Sequence, residues 1–188
     1  MDERRFRLDF VIALGALLIS TIAAVATVYQ THVIAAEFSA TVWPYVSFEE
    51  NNSPWSVELD VRNDGLGPAI IRSVGLTFDG KPQRSIEGML AEFAAREPQA
   101  LTAARAALRA GAKLKITTST PSSGLVIPAN TQHVVIRLEG PVLARNFQPV
   151  IKHVGIALCY CSLTGTCWTQ RFQNRDSEPK VTPACPRS

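Results

Sequence analysis

No lysine or arginine occurs between Leu8 and Val61, and no charged side chain of either sign between residues 10 and 36. Twenty uncharged residues in helical form, 10–29, would reach across roughly 30 Å of hydrocarbon. Lacking Asp, Glu, Lys and Arg, such a span has none of the groups that an ion path or proton relay needs. Nor is there a basic stripe: 19 Lys and Arg stand against 16 Asp and Glu, interspersed, for a net charge of +3. A nucleic-acid reader is expected to concentrate its positive charge, so no nucleic-acid partner is expected. Low-complexity tracts, internal repeats, a Walker loop and an HExxH motif are all missing, and no clear acid pair stands out. Ser122-Ser123-Gly124 reads as turn chemistry and not as a nucleophile elbow. The expectation is therefore a chain that is not an enzyme and uses no cofactor, with no catalytic and no metal-binding residues.

What is present begins with Arg4, Arg5 and Arg7 ahead of the apolar run, with Arg62 the first basic residue after it. The positive-inside bias then keeps the N-terminus in the cytoplasm and exports everything beyond about residue 37. The expected layout is a cytoplasmic tail at 1–9, a transmembrane helix at 10–29 as the lipid-bilayer contact, a stalk at 30–41, an exported domain at 42–174 and a C-terminal tail at 175–188. A cleaved signal peptide is the competing reading, since Ala24-Val25-Ala26 offers a small-x-small site, but the run is longer than the roughly 7–15 residues of a signal h-region. Ala16, Ser20 and Ala24 recur every four residues, a small-residue stripe that would allow self-association of the helix. Passive anchoring is the simpler expectation.

About 150 residues follow the anchor, enough for one domain with a real core. Trp55, Val57, Leu59 and Val61 alternate with Ser56, Glu58, Asp60 and Arg62, the period-two signature of a half-buried strand. A turn follows at 63–68, and 69–78 reads as the return strand, closed by Asp79-Gly80. Further strands are expected near 42–48, 113–117, 125–127, 133–138, 150–161 and 167–173. Short strands with Gly, Pro and Asn turns argue for a mainly β, immunoglobulin-like antiparallel sandwich. A helical insertion at 85–110 interrupts them. Ile86, Met89, Leu90 and Phe93 form one apolar face; Pro98 starts a second helix with Leu101, Ala104 and Leu108 inward, and Arg96, Arg105 and Arg109 are expected outside.

Asn63, Gly65, Gly67 and Pro68 form the clearest loop signature: Asn bonds nearby backbone, glycines supply positive φ, and Pro presets the next strand. With this N-x-G-x-G-P-A turn and the cysteines below, the chain resembles uncharacterised bacterial inner-membrane proteins that carry one N-terminal span, an exported sandwich and a cysteine-rich C-terminal hairpin. The resemblance implies fold and location and brings no catalytic residue with it.

All four cysteines fall in the last thirty residues, and an even number in an exported domain favours disulfides. If 150–161 and 167–173 pair around 162–166, Cys161 faces Cys167, Tyr160 faces Trp168 and Leu158 faces Gln170. Val154, Ile156, Leu158, Tyr160, Trp168 and Phe172 then share the core face, with His153, Cys159, Cys161, Cys167 and Thr169 on the other. Cys159 and Cys161 lie about 6.6–7 Å apart along one strand, at the limit of disulfide spacing. Cys161–Cys167 with Cys159–Cys185 is the preferred pairing of the three that four cysteines allow. The competing use of these thiols, with His153, is a Zn²⁺ or Cu⁺ site or a redox pair. His32 and His133 stand alone. The functional expectation is a membrane-anchored, non-enzymatic interaction or accessory module of the cell envelope, partnered by another envelope protein; the alternative is a thiol-redox or metal-handling protein.

Overall fold

The computed structural model describes residues 2–172 and 178–186, with side chains from residue 10. Arg4, Arg5 and Arg7 as side chains, Gln173 and part of the expected tail lie outside the described residues. The chain divides into two units, residues 1–41 and 42–188. The first is one helix, α1 (Asp2–Thr41), of 40 residues, about 60 Å at 1.5 Å per residue. Within its segment Phe10–Thr41 an 18-residue stretch has a mean hydropathy of 2.4, and the segment is long and apolar enough to cross a membrane. The backbone stays helical throughout Asp2–Thr41. Residues 16–43 contain neither Gly nor Pro, so nothing interrupts the helix until Pro44, which disfavours helical geometry at Trp43. The hydroxyls of Ser20, Thr21, Thr27, Thr31 and Ser39 each donate to the carbonyl four residues earlier, at 2.8–2.9 Å.

The second unit is built on two antiparallel sheets. β1 (Val46–Asn52), β2 (Ser56–Asn63), β7 (Thr131–Glu139) and β5 (Lys115–Thr118) make the first, in the order β1-β2-β7-β5. The second runs β10-β9-β8-β3-β4, from β3 (Ala69–Phe78), β4 (Lys81–Gln83), β8 (Val154–Cys161), β9 (Cys167–Arg171) and β10 (Lys180–Thr182), with β6 (Val126–Ile127) also on β3. The insertion forms α2 (Ile86–Arg96) and α3 (Pro98–Arg109). Ser85 caps α2 by accepting from the Gly88 amide, and Pro98 opens α3. One core joins Leu59, Val61 and Ile136 of the first sheet to Ile71, Phe78, Leu158 and Tyr160 of the second, with Ile86, Met89 and Phe93 of α2. Tyr160 ties the layers together: its hydroxyl accepts the Val46 amide at 3.2 Å.

Several expectations need correction. β3 is no return strand to β2; it crosses into the other sheet and pairs with β8. β1 starts at Val46, because Pro44 breaks the run before it, and Trp55 lies outside β2 with 68% of its surface exposed. Residues 150–153 are not strand. They belong to a 3-10 turn, Gln148–His153, preceded by α4 (Pro141–Phe147), which buries Leu143, Ala144 and Phe147. Leu108 is exposed, and Ala100 takes the inward position instead. Residues 180–182, expected as tail, add β10 to the sheet. The C-terminal hairpin pairs Cys161 with Cys167, Tyr160 with Trp168 and Leu158 with Gln170.

Candidate functional site

The turn after β2 is organised by Asn63, whose side chain is fully buried. Its amide nitrogen donates to the carbonyls of Gly67 (2.8 Å), Ile127 (3.0 Å) and Pro128 (3.2 Å), while its carbonyl oxygen accepts the amides of Tyr45 and Gly65 at 3.1 Å each. Three separate segments are thereby held by one side chain. Gly65 and Gly67 are not the positive-φ residues that the turn signature suggested. They are glycines for want of room. A Cβ on Gly65 would stand 2.3 Å from the Tyr45 nitrogen, and one on Gly67 would stand 2.1 Å from the Val42 carbonyl oxygen. Pro68, half-buried, leads directly into β3.

At the other end of the sequence the four cysteines converge. Cys161 and Cys167 are bonded across the β8–β9 hairpin at directly paired positions, and Cys159 is bonded to Cys185. The two bonds abut: Cys161 Sγ lies 3.8 Å from Cys185 Sγ. An open cleft of about 550 Å³ beside them is lined by Arg72, Cys161, Gly165, Cys167 and Cys185, together with the tail. Arg72 sits where the β3–β8 register slips between Ile71 and Ser73. His153 is not part of this cluster. Its Nδ1 lies 2.6 Å from Asp79 Oδ1, and Asp79 also pairs with Arg96. Those two partners hold the Asp79 carboxyl below its usual range, the His153 contact foremost. Arg96, expected to decorate the outside, is tied down by Asp79 and Glu92 and lies over the Phe78 ring at 5.0 Å.

Two polar constellations escaped the sequence reading. Glu58 and Asp60, both assigned to a wet face by alternation, sit together on β2 beside Arg137 of β7. Arg137 pairs with Glu58 and holds its carboxyl low. Asp60 is only 1% exposed, its Oδ1 has no hydrogen-bond partner, and burial with the Glu58 carboxylate alongside pushes its pKa up to about 7. Alternation does put Asp60 on the Glu58 face; the register shift at Leu59/Asp60 leaves the extra residue, Val135, on β7, and the β2 face is covered at Asp60. His133, far from standing alone, places Nε2 2.9 Å from Ser119 Oγ, and burial lowers its pKa. Among the described residues, no carboxylate hydrogen-bonds the His133 ring to orient it as a triad would require.

The insertion supplies an apolar groove. Leu90, Ala91, Ala94, Leu101 and Ile116 line a groove of about 280 Å³ between the two helices and β5, with Leu138 and Phe147 among its lining. β5 is the edge strand of its sheet, and Ile116 is 55% exposed. Compared with known proteins, the chain matches no family model, curated protein or solved structure.

Proposed function

We propose that this chain is a single-pass protein of the bacterial cytoplasmic membrane, with its N-terminus inside and an immunoglobulin-like sandwich displayed in the periplasm. In this reading the sandwich is a non-enzymatic interaction or accessory module for another envelope protein. The observation that carries it is the groove on the insertion: an edge strand with an exposed isoleucine, bordered by the apolar flanks of two helices. An edge offers unpaired backbone groups, and the groove offers a socket for an apolar side chain, the two requirements of strand addition. Paired cysteines agree with an oxidising compartment. The second reading, thiol chemistry at the C-terminal cysteines, is favoured by the contact between the two disulfides.

The first reading is tested with a photocrosslinking residue at Leu101 in intact cells. One discrete adduct is expected, lost when Ile116→Arg is added. No adduct, or one indifferent to Ile116, would overturn the interaction module.

A further inference from the structure

From the abutting disulfides we infer that the C-terminal cluster is a thiol–disulfide exchange site, in which an incoming thiolate re-routes the bonds so that the tail passes from Cys159 to Cys161. The inference deepens the second reading and is independent of the groove. Four observations converge on it. Cys159 and Cys161 are 3% and 5% exposed, whereas Cys167 and Cys185 are half-buried, so a thiolate arriving from solvent meets Cys167 or Cys185 first. Gly165, which has no side chain, leaves the loop side of Cys167 open, and the cleft has room for a small thiol or for a cysteine on an extended loop. Arg72 lines the same cleft with a permanent positive charge, the environment that favours thiolates. Most decisively, the sulfurs of Cys161, Cys167 and Cys185 all lie within 4.8 Å of one another, so a thiolate released at one is already beside the next.

The sequence of bonds follows from that proximity. A donor thiolate attacks Cys167 Sγ; the donor–Cys167 bond forms, the Cys161–Cys167 bond breaks, and the electron pair leaves on Cys161. The Cys161 thiolate attacks Cys185 Sγ, 3.8 Å away, forming Cys161–Cys185 and expelling Cys159 as a thiolate, which takes up a proton. With a monothiol donor the exchange stops here, with a mixed disulfide on Cys167 and no net oxidation. With a dithiol, the donor's second sulfur attacks the mixed disulfide. The donor leaves oxidised, and the protein gains two electrons and two protons as Cys159 and Cys167 thiols.

The full chain in detergent is treated with one equivalent of dithiothreitol or, separately, with glutathione, then acid-quenched, alkylated and mapped by non-reduced peptide mass spectrometry. A Cys161–Cys185 bond with Cys159 alkylated is expected in both arms. Cys167 is expected alkylated after dithiothreitol and glutathionylated after glutathione; rearrangement by dithiothreitol alone would assign the donor to the dithiol class. Cys161 and Cys167 alkylated with Cys159–Cys185 intact would overturn the exchange, as would two unreacted bonds in both arms or four alkylated cysteines. Arg72→Gln is expected to slow the rearrangement several-fold and Arg72→Lys to restore it; equal rates in all three would sink the role given to Arg72. None of these readouts touches crosslinking at the groove, so either idea can fail alone.

Discussion

Gly67 shows how little freedom a single residue has when two backbones press together. A methyl group there would meet the Val42 carbonyl oxygen at 2.1 Å, and the obstacle is main chain that cannot swing aside. Gly67→Ala is expected to cost about 2–4 kcal/mol, beyond an ordinary surface change. Gly80→Ala, at φ +75° in open space, should cost only about 1 kcal/mol of backbone strain. Urea midpoints of the two variants, read by tryptophan fluorescence, would rank them; equal losses would refute the close-approach argument. Asp60 yields a prediction of a different kind. Folding raises its pKa from an ordinary 3.8 to about 7, so the folded chain retains a proton that the unfolded chain has released. That contribution to stability is complete below about pH 4 and is lost as pH rises through 7. The melting temperature should therefore fall between about pH 4 and 7 and level off above that, and Asp60→Asn should flatten that slope. A slope unchanged in the variant would exonerate Asp60. Neither residue is fully legible in sequence: the turn signature gives Gly67 the wrong cause, and alternation gives Asp60 the right face but not its burial, because each depends on a neighbour distant along the chain.

At the scale of elements, legibility followed locality. The α2 face, the Pro98 restart, β3 and the β8–β9 register were readable, because each rests on periodicity or on a turn whose residues are adjacent. α4 is missing from the sequence reading although Gly140-Pro141 followed by Leu143, Ala144 and Phe147 is a helix-start signal, and the apolar run 150–161 takes the end of the following 3-10 turn, 150–153, for strand. The crossing of β3 into the second sheet was not readable at all: a tight turn and a hairpin look alike until pairing partners are known. Helix α1 carries its own solution to an apolar surrounding. Five hydroxyls bond back to the carbonyl one turn earlier and present no unsatisfied donor outward. An arginine lacks that recourse. Ile19→Arg, mid-span, is expected to cost about 2.5–3.5 kcal/mol of insertion and to shift protein from the carbonate-resistant membrane fraction. Full retention in that fraction would argue that α1 is not the anchor.

The whole molecule is stapled at the end farthest in sequence from its helix. Cys159–Cys185 spans 26 residues and Cys161–Cys167 only 6. Loop-closure entropy ranks them at about 3.5 and about 2 kcal/mol respectively. The double replacement Cys159→Ala/Cys185→Ala should thus lower the denaturation midpoint more than Cys161→Ala/Cys167→Ala, and the reverse order would mean that the staple acts through the native state. The Asn63 turn has a consequence in time as well as in space. Its side chain needs the carbonyls of Ile127 and Pro128, 64 and 65 residues downstream, before its donors are satisfied. The latch at the start of the domain therefore stays open until more than half the chain has left the ribosome, and it closes late, after β6 has arrived.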